Sequence, residues 1–373
     1  MDFELTEEQR ALVDLVDRIL ADHCGHERLA ELEKDARGSG IGSVHDAQAW
    51  RALTAAGAVT ALLPADGDLG IMGLALLAEV AGKHTAYVPV VAAIALGALP
   101  LARFGGHEDL LADVASGAKL ATAALEEPGE PDSLTTTARR GDGATFVLDG
   151  AKSMVPYGDV ADVVLVPAAL DDAPALFVVP RSALKVTPLL ATGRQPYAEL
   201  ELDAVTVPQE ALLARGPEAL DWLRDLGTIA YAAEASGVCT EAVAMTARYT
   251  STRKQFGEPI ASFQAVAQRA ADAFISAEAL RLCMLHAAWL MDDAARGGHA
   301  STPAEASADV AIAKFHAGDA GSRVLHAAQH LHGGIGVDTD YPLHRYFVRG
   351  QQIEQTLGTA TRQLLRIGAN LAE

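Results

Sequence analysis

Two short stretches carry residue types that could hold a phosphorylated ligand. In Tyr249-Thr250-Ser251-Thr252-Arg253-Lys254-Gln255-Phe256-Gly257-Glu258-Pro259-Ile260, followed by Phe263-Gln264, an arginine closes a helical pattern beside an aromatic residue and a glycine-containing turn. A planar guanidinium there can take two pyrophosphate oxygens at once while the ring packs against the rest of the ligand. The same spacing also describes an ordinary helix terminus with solvated charges. In Gln329-His330-Leu331-His332-Gly333-Gly334-Ile335-Gly336, successive glycines let backbone N–H groups approach a ligand, and the Gln329 amide one turn earlier can donate or accept a hydrogen bond. A glycine cap with a following turn reads from the same residues. His326, His330 and His332 invite a metal, because 326 and 330 are four apart. No acidic residue or cysteine completes a ligand spacing with them, so they are read as a helix face.

The elements that must position these stretches follow from periodicity. Thr6-Glu7-Glu8-Gln9 has the spacing of a capping box, and Leu12, Leu15, Val16, Ile19 and Leu20 then fall on one helical face, so a helix starts just after Thr6. Helical pattern continues to about residue 115, interrupted by the turn-rich Pro64-Ala65-Asp66-Gly67-Asp68. From about 118 to 214, short apolar runs such as Thr145-Phe146-Val147-Leu148, Val163-Val164-Leu165-Val166 and Leu176-Phe177-Val178-Val179 are bounded by Gly, Pro and Asp, which predicts strands. Beyond Pro217 long helical patterns return at roughly 217–250, 261–296, 304–331 and 343–371, broken at Gly257-Glu258-Pro259, Gly297-Gly298 and Gly333-Gly334. The expected organisation is α+β and multidomain: an N-terminal helical domain over 1–116, a middle antiparallel β domain over 117–214, and a C-terminal four-helix bundle over 215–373.

Composition narrows the partners. A chain of 373 residues, half of them apolar, can bury two or three substantial cores. Its formal charge of −20 repels phosphate backbones and anionic lipid, which argues against nucleic acid and membrane surfaces as partners. A local arginine can still hold an anionic cofactor. The acidic start MDFELTEEQR lacks the order of a signal peptide, and the three cysteines, Cys24, Cys239 and Cys283, have no metal-like spacing and suit a reducing cytoplasm. The apolar run Val88–Ala102, interrupted by Pro89 and Pro100, is shorter than the ~20 residues of a membrane span and reads as a buried core helix.

Taken together, FELTEEQRAL, TRKQFGEPIASFQAV and QHLHGGIGVDTDYPLHRYF resemble the acyl-CoA dehydrogenase family, and the resemblance spans nearly the whole chain. It implies that fold of helical, β and four-helix-bundle domains. It also implies an FAD cofactor, an acyl-CoA substrate that loses a proton to a glutamate and a hydride to the flavin, and an electron-transfer flavoprotein as acceptor. In the family the ADP half of each FAD is held by a neighbouring subunit, and the matching positions here are Arg253, Phe256, Gln329, Gly333 and Gly334, with Gln264 beside them.

The departures are as informative as the matches. Family members hold the flavin with a Thr before Glu-Pro-Gly and a Trp-x-Thr after Gly-x-Lys. Here Ala124-Leu125-Glu126-Glu127-Pro128-Gly129-Glu130-Pro131-Asp132 puts Glu126 at the Thr, and Gly150-Ala151-Lys152-Ser153-Met154-Val155-Pro156 puts Met154 and Pro156 at the Trp and Thr. A carboxylate there would repel a reduced flavin, and proline removes both a hydroxyl and an N–H donor. The family's glutamate position falls on Leu357, within Gln355-Thr356-Leu357-Gly358-Thr359, and the alternative position in some members falls on Gly227. Neither can take a proton. Glu234, two turns after Gly227, and Glu354, one turn before Leu357, are the other candidate carboxylates.

The chain therefore looks like the non-catalytic subunit of an actinobacterial heterotetrameric acyl-CoA dehydrogenase that acts on steroid side-chain CoA esters. No catalytic residue is assigned to it. Its expected partner is a second subunit of the same family that carries the glutamate. A self-sufficient enzyme using Glu234 or Glu354 and a non-catalytic scaffold of this fold are the alternatives.

Overall fold

A computed structural model describes residues 3–39, 41–64, 68–129 and 134–372. The Pro64–Asp68 turn thus lies in part, and the Glu130-Pro131-Asp132 end of the flavin-type segment wholly, outside the described residues. The first helices are α1 (Glu7–His23), α2 (His26–Ser39), α3 (Ala47–Ala55), α4 (Gly70–Lys83), α5 (Leu99–Phe104) and α6 (Glu108–Ala115). Strands β1 (Ala121–Ala123), β2 (Thr137–Arg140), β3 (Thr145–Pro156), β4 (Val163–Leu170), β5 (Ala173–Pro180), β6 (Lys185–Leu190), β7 (Pro196–Pro208) and β8 (Leu212–Arg215) follow. Helices α7 (Pro217–Thr252), α8 (Gln264–Ala295), α9 (Pro303–His332), α10 (Leu343–Gln355) and α11 (Ala360–Ala372) complete the chain. They fall into two compact units, one of Met1–Ala30, Ile71–Ala86 and Thr228–Glu373, the other of Glu31–Gly70 and Tyr87–Gly227.

The second unit is built on a sheet of order β6-β7-β3-β2-β4-β5-β8, with β1 added on β4. Most pairs are antiparallel, as the strand pattern predicts, but β1 and β2 both run parallel to β4. Long connections allow that, and local sequence does not announce it. Phe146, Leu148, Val164, Val166, Phe177, Val179 and Leu200 form the buried face, with Phe146 and Phe177 edge-to-face at 5.3 Å. The apolar run after Val88 is buried, as expected, but it forms a π-helix over Val90–Ala98 before α5. Gly97 lets that helix reach β1, since a Cβ there would fall 2.9 Å from the Ala121 carbonyl oxygen.

The first unit is the helical one. At the start of α1 the capping box is complete, with Thr6 and Gln9 each bonding the other's backbone. Thr302 and Glu305 cap α9 in the same way. Helix α9 packs against α8, α10 and α11, which its small buried residues Ala311, Ala313, Ala317, Gly318, Ala320 and Gly321 permit. Helices α4 and α7 cross without a layer of side chains between them. A Cβ on Gly82 would overlap the Glu234 carbonyl, and one on Gly237 would overlap the Glu79 carbonyl. Among the described residues α8 is the one helix long and apolar enough by composition to cross a membrane. Here its residues Ala273, Ala277, Leu280, Met284, Leu285 and Leu290 are buried within the protein.

The expected fourth bundle helix is two helices. Leu357 and Gly358 both have positive φ, 53° and 94°, so the chain turns at Thr356–Thr359 and restarts as α11. The buried Lys314 ammonium donates to the carbonyls of Ile353 (2.9 Å), Glu354 (3.3 Å) and Gly358 (3.0 Å). The Ile353 and Glu354 carbonyls are among the last of α10, which have no partner within the helix itself.

Candidate cofactor-binding site

The last turn of α7 sets the place of Arg253. Its N–H donates to the Tyr249 carbonyl at 2.8 Å, and its own carbonyl accepts from the Ile260 N–H at 2.8 Å. Between them lies a two-residue hairpin, Gln255 opposite Glu258 and Lys254 opposite Pro259. Its central residues, Phe256 and Gly257, have φ of 56° and 88°, as so tight a hairpin demands. Glycine accepts this conformation freely, and phenylalanine does not. The Phe256 side chain is nonetheless 94% exposed and meets Phe263 edge-to-face at 6.1 Å. An exposed aromatic ring on a strained turn is the kind of feature that a ligand or partner accounts for. Arg253 and Gln264 are also exposed. Gln264 opens α8, whose N-cap Phe263 makes no side-chain cap, so the positive end of that helix is available to an anion.

The end of α9 forms the second stretch. Gly333 has φ 65°, and its N–H donates to the carbonyls of Gln329 and His330. Gly336 is required by packing, because a Cβ there would lie 2.9 Å from the Gln329 carbonyl oxygen. Gly334 is different. Its φ lies outside the left-handed region, and among the described residues a Cβ would meet nothing within 4 Å. Internal packing therefore does not require a glycine there. Gln329 is half-buried, whereas the next residue, His330, is exposed.

A ring stack brings the two stretches together. Tyr249, one turn before Arg253, and His332, immediately before Gly333, stack with centroids 4.4 Å apart and planes at 20°. Tyr341 completes the cluster at 5.4 Å from His332 and 6.4 Å from Tyr249. The His332 Nδ1 lies 2.8 Å from the Ala328 carbonyl oxygen and its Nε2 lies 3.2 Å from the Tyr341 hydroxyl. A carbonyl only accepts, so the proton belongs on Nδ1 and the tyrosine hydroxyl donates to Nε2. Burial holds the His332 pKa below its usual value, which keeps the ring neutral. His326 likewise bonds its own helix, Nδ1 to the Ser322 carbonyl at 2.8 Å. The stack is not legible in sequence, although Tyr249 and His332 both fall within the two stretches.

The sheet unit holds the other segments. Ser153 and Met154 form a bulge in β3, where pairing with β7 shifts between Lys152 and Val155, and Met154 takes φ 48°. The Ser153 N–H donates to the Glu126 carbonyl at 2.9 Å, and the Glu126 side chain is half-buried. Pro156 is buried, its carbonyl accepting from the Thr122 hydroxyl at 2.8 Å. Behind them Glu127 and Lys152 form a buried ion pair, and the Thr135 N–H also donates to Glu127 at 2.6 Å. Burial acts to raise the Glu127 pKa, but the bonds from Lys152 and the threonines hold it down at about 2.

The two candidate carboxylates are differently placed. The Glu234 Oε1 accepts from two nitrogens of Arg349, with Nε at 2.6 Å, and both side chains are buried. Burial raises the Glu234 pKa against the pull of that guanidinium. Glu354 is half-buried at the end of α10, its carbonyl held by Lys314. Leu357 is half-buried, with its carbonyl accepting from the Gln363 amide at 3.1 Å.

Residues 216–372 match the family described as acyl-CoA dehydrogenase, C-terminal domain. Over 384 aligned residues the chain is 39% identical to acyl-CoA dehydrogenase FadE27 of Mycobacterium tuberculosis (strain ATCC 25618 / H37Rv), covering 100% of this chain and 99% of that protein. The chain belongs to the acyl-CoA dehydrogenase family. As an acyl-CoA dehydrogenase it is also similar to a chain of the ChsE4-ChsE5 complex from Mycobacterium tuberculosis, at a TM-score of 0.90 and 38% identity over 100% of this chain and 99% of that one. A chain of a variant of the Tcur3481-Tcur3483 steroid ACAD matches at a TM-score of 0.87 and 38% identity, covering 98% of both. The order of helices, sheet and helices in this acyl-CoA dehydrogenase is that of its family.

Proposed function

We propose that this acyl-CoA dehydrogenase chain is the non-catalytic subunit of a heterotetrameric, FAD-dependent enzyme that desaturates bulky steroid side-chain acyl-CoA esters between the α and β carbons. The observation that carries the reading is the exposed, strained Phe256 beside the exposed Arg253. Together with Gln264, Gln329, Gly333 and Gly334 they fit the ADP half of an FAD seated in a companion subunit. Arg253 takes the pyrophosphate as a bidentate donor, Phe256 covers apolar surface, and Gly334 leaves room for the ligand to approach the backbone. Similarity to a chain of the ChsE4-ChsE5 complex supports a second chain of this fold as companion, and similarity to the Tcur3481-Tcur3483 steroid ACAD supports the steroid substrate class.

The chain's own sheet does not fit the isoalloxazine half. A half-buried Glu126 places negative charge where a reduced flavin gathers it, and Pro156 offers no N–H. Leu357 and Gly227 take no proton. Glu234 is committed to Arg349, which disfavours a self-sufficient enzyme that uses it. When bound, FAD supplies the hydride acceptor, and the companion supplies the glutamate. This chain's residues bind and orient the ADP end, and reduced enzyme passes electrons to an electron-transfer flavoprotein. Purifying the chain alone tests the reading. It is expected to be colourless and inert toward an acyl-CoA with a dye acceptor, and a yellow preparation that reduces the dye would overturn it. Arg253→Ala in the two-chain complex should lower FAD content. Unchanged content would favour a scaffold role.

A further inference from the structure

Arg253 and Gly334 come from helices whose ends are far apart in sequence, yet both must meet one ligand. Aromatic contacts join those ends. Tyr249 and His332 stack at 4.4 Å, the Tyr341 hydroxyl donates to His332 at 3.2 Å, and the Ala328 carbonyl accepts from the opposite edge of the imidazole at 2.8 Å. Arg253 hangs from Tyr249 through its own N–H, and Gly333 follows His332 directly.

We infer that Tyr249, His332 and Tyr341 are positioning residues that fix the distance between the guanidinium of Arg253 and the Gly333–Gly334 backbone, and so set the affinity for the ADP portion of FAD. The inference rests on the proposed ADP-half role of this chain and extends it to residues that touch no cofactor. Stacked rings hold a spacing that a single aliphatic contact does not, because offset stacking is directional. The imidazole adds two hydrogen bonds that fix its rotation. None of the three side chains needs to reach the ligand. Their effect passes through the two backbones they join, and sub-ångström placement of paired donors is where preorganised binding gains most.

The test uses the two-chain complex stripped of flavin and titrated with FAD and, separately, with FMN, which lacks the AMP end and so cannot span Arg253 and the Gly333–Gly334 backbone. Tyr249→Leu is expected to weaken FAD by about tenfold or more while leaving FMN affinity, association of the chains and the unfolding midpoint unchanged. Tyr249→Phe, which keeps the ring, should restore FAD affinity. His332→Ala should behave as Tyr249→Leu. Equal losses for FAD and FMN, or a lowered unfolding midpoint that tracks the affinity, would make the stack a merely structural contact and overturn the inference. If Tyr249→Leu leaves FAD unchanged while Arg253→Ala weakens it, the positioning role fails and the ADP-half role stands. If Arg253→Ala also leaves FAD unchanged, the role on which the inference rests falls, and the inference with it.

Discussion

Replacing Glu234 by glutamine separates a structural carboxylate from a base. The side chain is 3% exposed, and its Oε1 takes two N–H groups of an Arg349 that is 5% exposed. Glutamine keeps the shape but leaves a buried guanidinium without its counter-charge, and breaking one side of such a pair costs about 3–5 kcal/mol. Removing both charges together, as in Glu234→Leu with Arg349→Met, should cost far less than either single change, because no unpaired charge remains. Urea unfolding of the two single variants and the double variant measures this coupling directly. Steady-state turnover of the two-chain enzyme measures the other arm, in which Glu234→Gln should leave kcat within about twofold where the complex is intact, against the several orders of magnitude lost with a general base. A stable Glu234→Gln variant with a collapsed kcat would refute the reasoning.

Other outcomes follow from the same geometry. Gly237→Ala should destabilise the helical unit by about 1–3 kcal/mol, read from the urea midpoint, because the methyl would overlap the Glu79 carbonyl where α4 crosses α7. His332 is held below its usual pKa by burial, so below about pH 6.5 the unfolded chain binds this proton before the folded one and stability falls with pH. His332→Phe, which keeps the stack, should flatten that slope between pH 7 and 5, and an unaltered slope would refute the assignment. Leu357→Glu restores a carboxylate at the turn without repairing Glu126 or Pro156, so the lone chain should still show no acyl-CoA oxidation in a dye assay.

Much of the scaffold was legible because its signals are local. The Thr6 capping box, the helix starts at Pro217 and Pro303, and the apolar strand runs each depend on residues within a turn or two of one another. The two candidate stretches stand out for the same reason, since Arg253-Lys254-Gln255-Phe256-Gly257 and Gly333-Gly334 announce turns in their own composition. What remained hidden depends on distant partners. Lys314 is 39 residues from Ile353, yet it secures the break that leaves Leu357 with positive φ. A leucine in that conformation gives no warning in sequence, so one helix was read where two exist. Glu234 and Arg349 are 115 residues apart, and nothing near either residue names the other. Tyr249 and His332 pair only because α7 and α9 end side by side. The parallel seats of β1 and β2 on β4 are likewise a matter of how the chain returns, which strand composition does not encode.

The count of flavin in the purified two-chain complex tests the central claim most directly. Denaturing the complex, measuring released FAD by absorbance and dividing by the amount of each chain should give one FAD per pair, falling toward none with Arg253→Ala in this chain alone. Two FAD per pair, or one FAD per pair that survives Arg253→Ala unchanged, would contradict it.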